Sequence, residues 1–140
     1  MSLKECAMKY YFDQNYNCAE TIIHAANEYY SLGLHDYDMK LVGCYGAGIQ
    51  TGNTCGAFLS AAAVLSMKYI EAKAHESADI RPAAMLLTRR FNEKLTSTLC
   101  REIKPVFFNK ETRCQKTVET ACDVLEEVIA EYDAQIAAKA

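Results

Sequence analysis

No CxxC pair occurs anywhere in the 140 residues, and no CxxCH. The first absence excludes a thioredoxin-type dithiol and a zinc ribbon, the second a covalently attached haem. A phosphate loop of the form GxxxxGK[ST] is also missing. Asn53 stands where its lysine belongs, and no strand precedes the glycines as a dinucleotide fingerprint requires. Histidine is scarce: His24, His35 and His75 have no ligand spacing to one another or to the cysteines, which leaves them exposed polar roles. There is no basic surplus either. The net charge is −3 with both signs interspersed, so nucleic acid is not an expected partner. The longest apolar run, Ala57 to Met67, is broken by serines and too short for a bilayer. Met1 to Lys9 carries no apolar core of a secretion signal. These absences lead to the expectation of a cytoplasmic protein without membrane insertion.

What the chain does have is cysteine and a concentrated supply of glycine. It carries seven cysteines, an odd number that argues against a secreted disulfide framework. Five of its six glycines fall between Gly43 and Gly56, which makes that stretch the organising segment. It delivers Cys55 into the most apolar helix of the chain, with Asn53 as the expected N-cap. Cys55 would then sit in a first helical turn, where free N–H groups and the dipole favour thiolate.

Strand-like alternation is absent, and helical spacing recurs throughout. Leu3, Cys6, Ala7 and Tyr10 predict a first helix to Phe12. Asn17 with Glu20 forms a capping-box pattern for a second, running to Tyr30, with Gly33 as terminator. Asp36 is read as the cap of a short third. The central helix runs from Asn53 to about Ala74, apolar nearly all round in its first half and therefore surrounded by others. Pro82 suits the first turn of the next, which buries Ala83, Ala84, Leu87, Phe91 and Leu95. Arg101 to Lys110 reads as a loop. Thr112 and Gln115 predict a capping box for the last helix, with a stripe through Cys114, Val118, Ala121, Leu125, Val128 and Tyr132. The tail from Ala134 is expected to fray. The expected fold is all-α, a single-domain helical bundle of about five to six helices with a glycine-rich loop before a central buried helix. At 51% apolar and 24% charged residues, the composition is that of an ordinary globular domain.

Cys18, Cys55 and Cys114 share a placement: each follows an Asn or Thr cap at a helix start. Cys100 is placed after a helix, entering the loop. Arg101, Lys104 and Arg113 lie close in sequence to Cys100 and Cys114 and can add positive potential there. Cysteine also packs as a small hydrophobe, and that structural role is assigned to Cys6, Cys44 and Cys122. The nine tyrosines are expected to straddle core and surface.

Asn17-Cys18-Ala19, the glycines leading to Cys55-Gly56-Ala57, and then Cys100 and Cys114 resemble the C_GCAxxG_C_C family. That family is marked by four cysteines and a CGAxxG motif, and the resemblance spans nearly the whole chain. Cys18, Cys55, Cys100 and Cys114 match the four family positions in order, whereas Ser60 replaces the second motif glycine. The resemblance implies redox activity, an unidentified redox partner and, for some members, a genomic link to transporters.

Three functions are therefore carried forward. The first is a thiol-dependent oxidoreductase in which Cys55 attacks, since the glycines open its surroundings, and a neighbour resolves, with Cys55–Cys18 or Cys100–Cys114 as the disulfide. The second is a zinc or iron–sulfur module with Cys18, Cys55, Cys100 and Cys114 as ligands. The third is a non-enzymatic accessory protein with a cysteine-lined pocket. Self-association is compatible with a helical bundle.

Overall fold

The computed structural model describes residues Met1–Ala140. It is all-α, with seven helices where five to six were expected. They are α1 (Leu3–Asp13), α2 (Cys18–Tyr30), α3 (Asp36–Met39), α4 (Gly56–Tyr69), α5 (Ile80–Leu95), α6 (Cys100–Phe107) and α7 (Gln115–Lys139). No helix is long and apolar enough to cross a membrane.

Helix α2 lies between α1 and α4, and α7 lies between α1 and α5. Helix α4 touches α2, α5 and α7, and its Ala57, Ala61, Val64 and Leu65 are fully buried. The continuous apolar surface read from the sequence is thus the surface of a helix enclosed on several sides. Phe58 meets the buried Phe91 of α5 edge-on, with ring centroids 5.0 Å apart. Ser60, in place of the motif glycine, is fully buried and donates its hydroxyl to the Ala19 carbonyl at 2.7 Å. A side chain that departs from the motif thereby ties α4 to α2.

The capping box of α2 is present. Asn17 Oδ1 accepts the Glu20 N–H at 2.9 Å, and Glu20 Oε1 accepts the Asn17 N–H at 3.0 Å. Asn17 Nδ2 also donates to the Gly43 carbonyl at 3.0 Å, anchoring the glycine segment to the start of α2.

Four local expectations are corrected. Asn53 does not cap α4, because Asn53 to Cys55 are held extended against the chain entering α6. Thr54 pairs with Leu99 in an antiparallel bridge. The Cys55 N–H donates to Thr98 O and the Cys100 N–H to Asn53 O, each at 2.7 Å. The helix therefore starts at Gly56, with Cys55 itself as N-cap, and stops at Tyr69 rather than Ala74. Second, Cys100 to Phe107 is a helix and not a loop. Its buried Ile103 gives it an inner face, and Pro105, which cannot donate an i→i−4 hydrogen bond, lies two residues before its end at Phe107. Third, the Thr112–Gln115 box does not form. Arg113 takes a positive φ of 55°, and Cys114 becomes the N-cap of α7 without a side-chain cap. Fourth, the tail from Ala134 continues α7 as helix to Lys139.

Candidate functional site

Cys18, Cys55, Cys100 and Cys114 line one cavity of about 180 Å³. Each stands at the start of a different helix. Cys18 and Cys100 are the first residues of α2 and α6, and Cys55 and Cys114 are the N-caps of α4 and α7. Residues spread over nearly a hundred positions converge because four helix N-termini meet at one end of the bundle.

The glycine segment closes this end. A Cβ on Gly56 would stand 2.6 Å from the Tyr45 carbonyl oxygen and 2.9 Å from Cys18 Sγ. Only a bare backbone lets Cys18 lie beside the start of α4. Cys55 is accordingly 5% exposed, while the other three thiols are half-buried. This corrects the expectation that glycines open the surroundings of Cys55. They permit close packing, and the accessible thiols are elsewhere.

The ionisation of the thiols is also reversed from expectation. Backbone N–H groups do aim at sulfur, Ala47 at Cys18 and Phe58 and Ala57 at Cys55. Burial outweighs them. It pushes Cys18 up to about 12 and Cys55 up to about 11. Cys114 is raised as well, chiefly by burial and by Cys100, against a lowering pull from Lys104 and Arg113. Desolvation of a charge in an apolar cavity exceeds the partial charges at a helix start.

A pH dependence follows. Only the thiolate is alkylated, so below its raised pKa each thiol reacts about tenfold faster per pH unit. Site-resolved iodoacetamide labelling of Cys18 and Cys55 should climb from pH 7 to pH 10 without levelling, since both values lie above that range. A plateau near pH 8 in native protein would contradict the burial. Stability follows the same sign: the folded state holds these protons more tightly, so stability falls as pH rises from about 8.5 toward the folded values.

Tyr11, on α1, is the positioning residue that the sequence did not reveal. Its hydroxyl accepts the Cys114 N–H at 2.9 Å and donates to the Thr112 carbonyl at 3.1 Å. The ring is 2% exposed and carries the Arg113 guanidinium 5.1 Å from its centroid. Tyr11→Phe leaves two backbone groups without their partner at the start of α7. It should cost about 2 kcal/mol in urea unfolding and speed the labelling of Cys114. The only hint in the sequence was Tyr11 lying one position beyond the helical stripe.

The histidines are corrected in part. His24 is buried, not exposed, stacked on Tyr16 at 4.2 Å and flanked by Tyr10 at 5.5 Å, and its pKa is lowered chiefly by burial. Cys6 and Cys122 are buried in the core, and Cys6 Sγ donates to Glu28 Oε2 at 2.7 Å. Cys44 is exposed and outside the cavity.

No three His, Cys, Asp or Glu side chains are grouped closely enough to hold a metal ion. The four thiols therefore do not fit a single tetrahedral ion such as zinc.

A family model described as "Putative redox-active protein (C_GCAxxG_C_C)" matches residues 16–128. The chain belongs to this family. No match is found among curated proteins, and none among solved structures. Membership in the C_GCAxxG_C_C family supports a redox role, and the matched range contains all four cavity cysteines.

Proposed function

We propose that this C_GCAxxG_C_C protein is a thiol–disulfide oxidoreductase whose centre is the four-cysteine cavity. The observation that carries the reading is the convergence of Cys18, Cys55, Cys100 and Cys114, from four helix starts, on one small apolar space. Cys114 is the attacking thiol. It is half-buried where Cys55 is enclosed, and although burial raises its pKa, Lys104 and Arg113 oppose that rise. Its sulfur attacks one sulfur of a substrate disulfide, the S–S bond breaks, and the departing thiolate takes a proton. Cys100 then attacks the mixed disulfide and releases the second half as thiol. Two cysteines are oxidised and one disulfide is reduced to two thiols. Cys18 and Cys55 form the inner pair, which passes electrons to the outer disulfide by the same exchange.

The test is a redox titration of the protein in graded dithiothreitol buffers, with thiol counting and peptide mapping. Two thiols should be lost reversibly, then two more, from Cys100–Cys114 and Cys18–Cys55. If none of the four is lost while Cys44 oxidises, the reading fails.

The open space between the thiols favours one second reading, an iron–sulfur cluster. Cys18, Cys55, Cys100 and Cys114 would hold such a cluster through their thiolates, and it would supply one-electron transfer. Anaerobic reconstitution giving coloured protein with stoichiometric iron and sulfide would replace the exchange mechanism.

A further inference from the structure

The segment that carries Cys100 and Cys114 is opposite in charge to the whole chain. Between Lys94 and Lys116 there are six basic residues against two acidic, in a chain of net charge −3. Two of the six, Lys104 and Arg113, line the cavity, and no carboxylate lines it. Neither cation takes part in an ion pair; the ion pairs of the molecule involve Lys4, Lys9, Lys68, Arg89 and Arg90.

Both are held by aromatic faces instead. Lys104 Nζ lies 4.9 Å from the Phe108 centroid and Arg113 Cζ 5.1 Å from that of Tyr11. An aromatic face orients a cation and leaves its N–H donors free. Phe108, Tyr11 and Ile103 supply an apolar wall in the same cavity. Four helix N-termini around the space add positive potential of the same sign.

We infer that the substrate of this site is a small anionic disulfide bearing at least one carboxylate. Lys104 and Arg113 bind the carboxylate, Phe108 and Tyr11 pack its apolar body, and a substrate sulfur is presented to Cys114. This deepens the oxidoreductase reading and rests on it. The chemistry is the exchange written above: a protein dithiol becomes a disulfide, and the anionic disulfide becomes two thiols. The two cations serve twice, binding the substrate carboxylate and favouring the attacking thiolate.

The experiment compares three disulfides on reduced protein carrying Cys44→Ser, which removes the exposed thiol. Dithiobis(nitrobenzoate) is dianionic, dithiodipyridine is neutral and cystamine is dicationic. Second-order rates are referred to those of a short neutral cysteine peptide, which cancels intrinsic reactivity. The anionic-to-cationic rate ratio should exceed the peptide's by about tenfold or more at low salt. It should shrink several-fold as salt approaches about 0.5 M. Lys104→Gln with Arg113→Gln should return the ratio to the peptide value, while Lys94→Gln and Lys110→Gln leave it in place. If Arg113→Gln disturbs the turn before α7, Lys104→Gln alone should still lower the ratio several-fold.

A ratio equal to the peptide's, or one unmoved by Lys104→Gln and by salt, overturns the inference and leaves the oxidoreductase reading standing. Failure of all three disulfides to react at Cys114 or Cys100 overturns both.

Discussion

If the proposed exchange is right, Cys114→Ser should lower its rate by at least about 100-fold, because a serine hydroxyl is not ionised near neutral pH and cannot replace the thiolate. Cys100→Ser gives a different result. The first bond should still form, but its outer resolving partner is gone, and a mixed disulfide on Cys114 should accumulate above its level in the parent. Intact-mass spectrometry separates the two: no adduct in the first variant, one added half-disulfide in the second. Neither thiol is deep in the core, both being half-buried, so the folding cost of the substitutions is small beside the kinetic effect. Equal rates in Cys114→Ser and the parent would reassign the attack to another cysteine.

Gly48→Ala carries the largest expected effect on stability, about 3 kcal/mol. Gly48 has a φ of +64°, and its added Cβ would stand 2.5 Å from both the N and the O of Asn53 and 2.7 Å from Cys100 Cβ. Backbone atoms cannot rotate aside. The Asn53 N–H donates to Gly48 O at 2.8 Å, and Asn53 O in turn receives the Cys100 N–H. Relieving the overlap therefore moves the bridge that sets Cys55 beside Cys100. Urea unfolding should show the loss, and labelling of Cys100 should change with it. Gly52→Ala is the control: its φ is +75°, but the nearest atom is Arg101 Cβ at 3.4 Å. That substitution should cost only the backbone strain, about 1 kcal/mol. Similar losses in both variants would show that steric overlap at Gly48 is not the controlling term.

The parts of the fold that were legible in the sequence are those decided locally. Asn17 and Glu20 cap α2 using side chains three residues apart, and the stripe of α7 through Val118, Ala121, Leu125, Val128 and Tyr132 is buried as its spacing required. Caps satisfied from a distance were not legible. Asn53 has the right side chain for a cap, yet Leu99 and Thr98, more than forty residues on, hold its neighbourhood extended. Thr112 gives up its capping role because the Tyr11 hydroxyl bridges its carbonyl and the Cys114 N–H.

The grouping of the four cysteines was suggested by the motif, and helix starts were legible for Cys18, Cys55 and Cys114 but not for Cys100, whose short helix reads as a loop. Their ionisation was not legible, since desolvation depends on what surrounds a sulfur in space. The glycine segment was read as permissive backbone. It also contains Ala47, Ile49 and Gln50 at positive φ, so its shape is imposed by the packing around it and not by glycine alone.

Because each thiol begins a different helix, every disulfide within the cavity would join two helices. Closing Cys18 to Cys55 would fasten α2 to α4 across almost the whole glycine segment. By loop-closure entropy, such a crosslink removes about 4 kcal/mol of freedom from the unfolded chain, and Cys100 to Cys114 about 3 kcal/mol. Oxidation would then act as a thermal reinforcement, and reduction would return the molecule to a looser, more readily degraded form. Cellular lifetime would follow electron supply, with the melting temperature as its gauge.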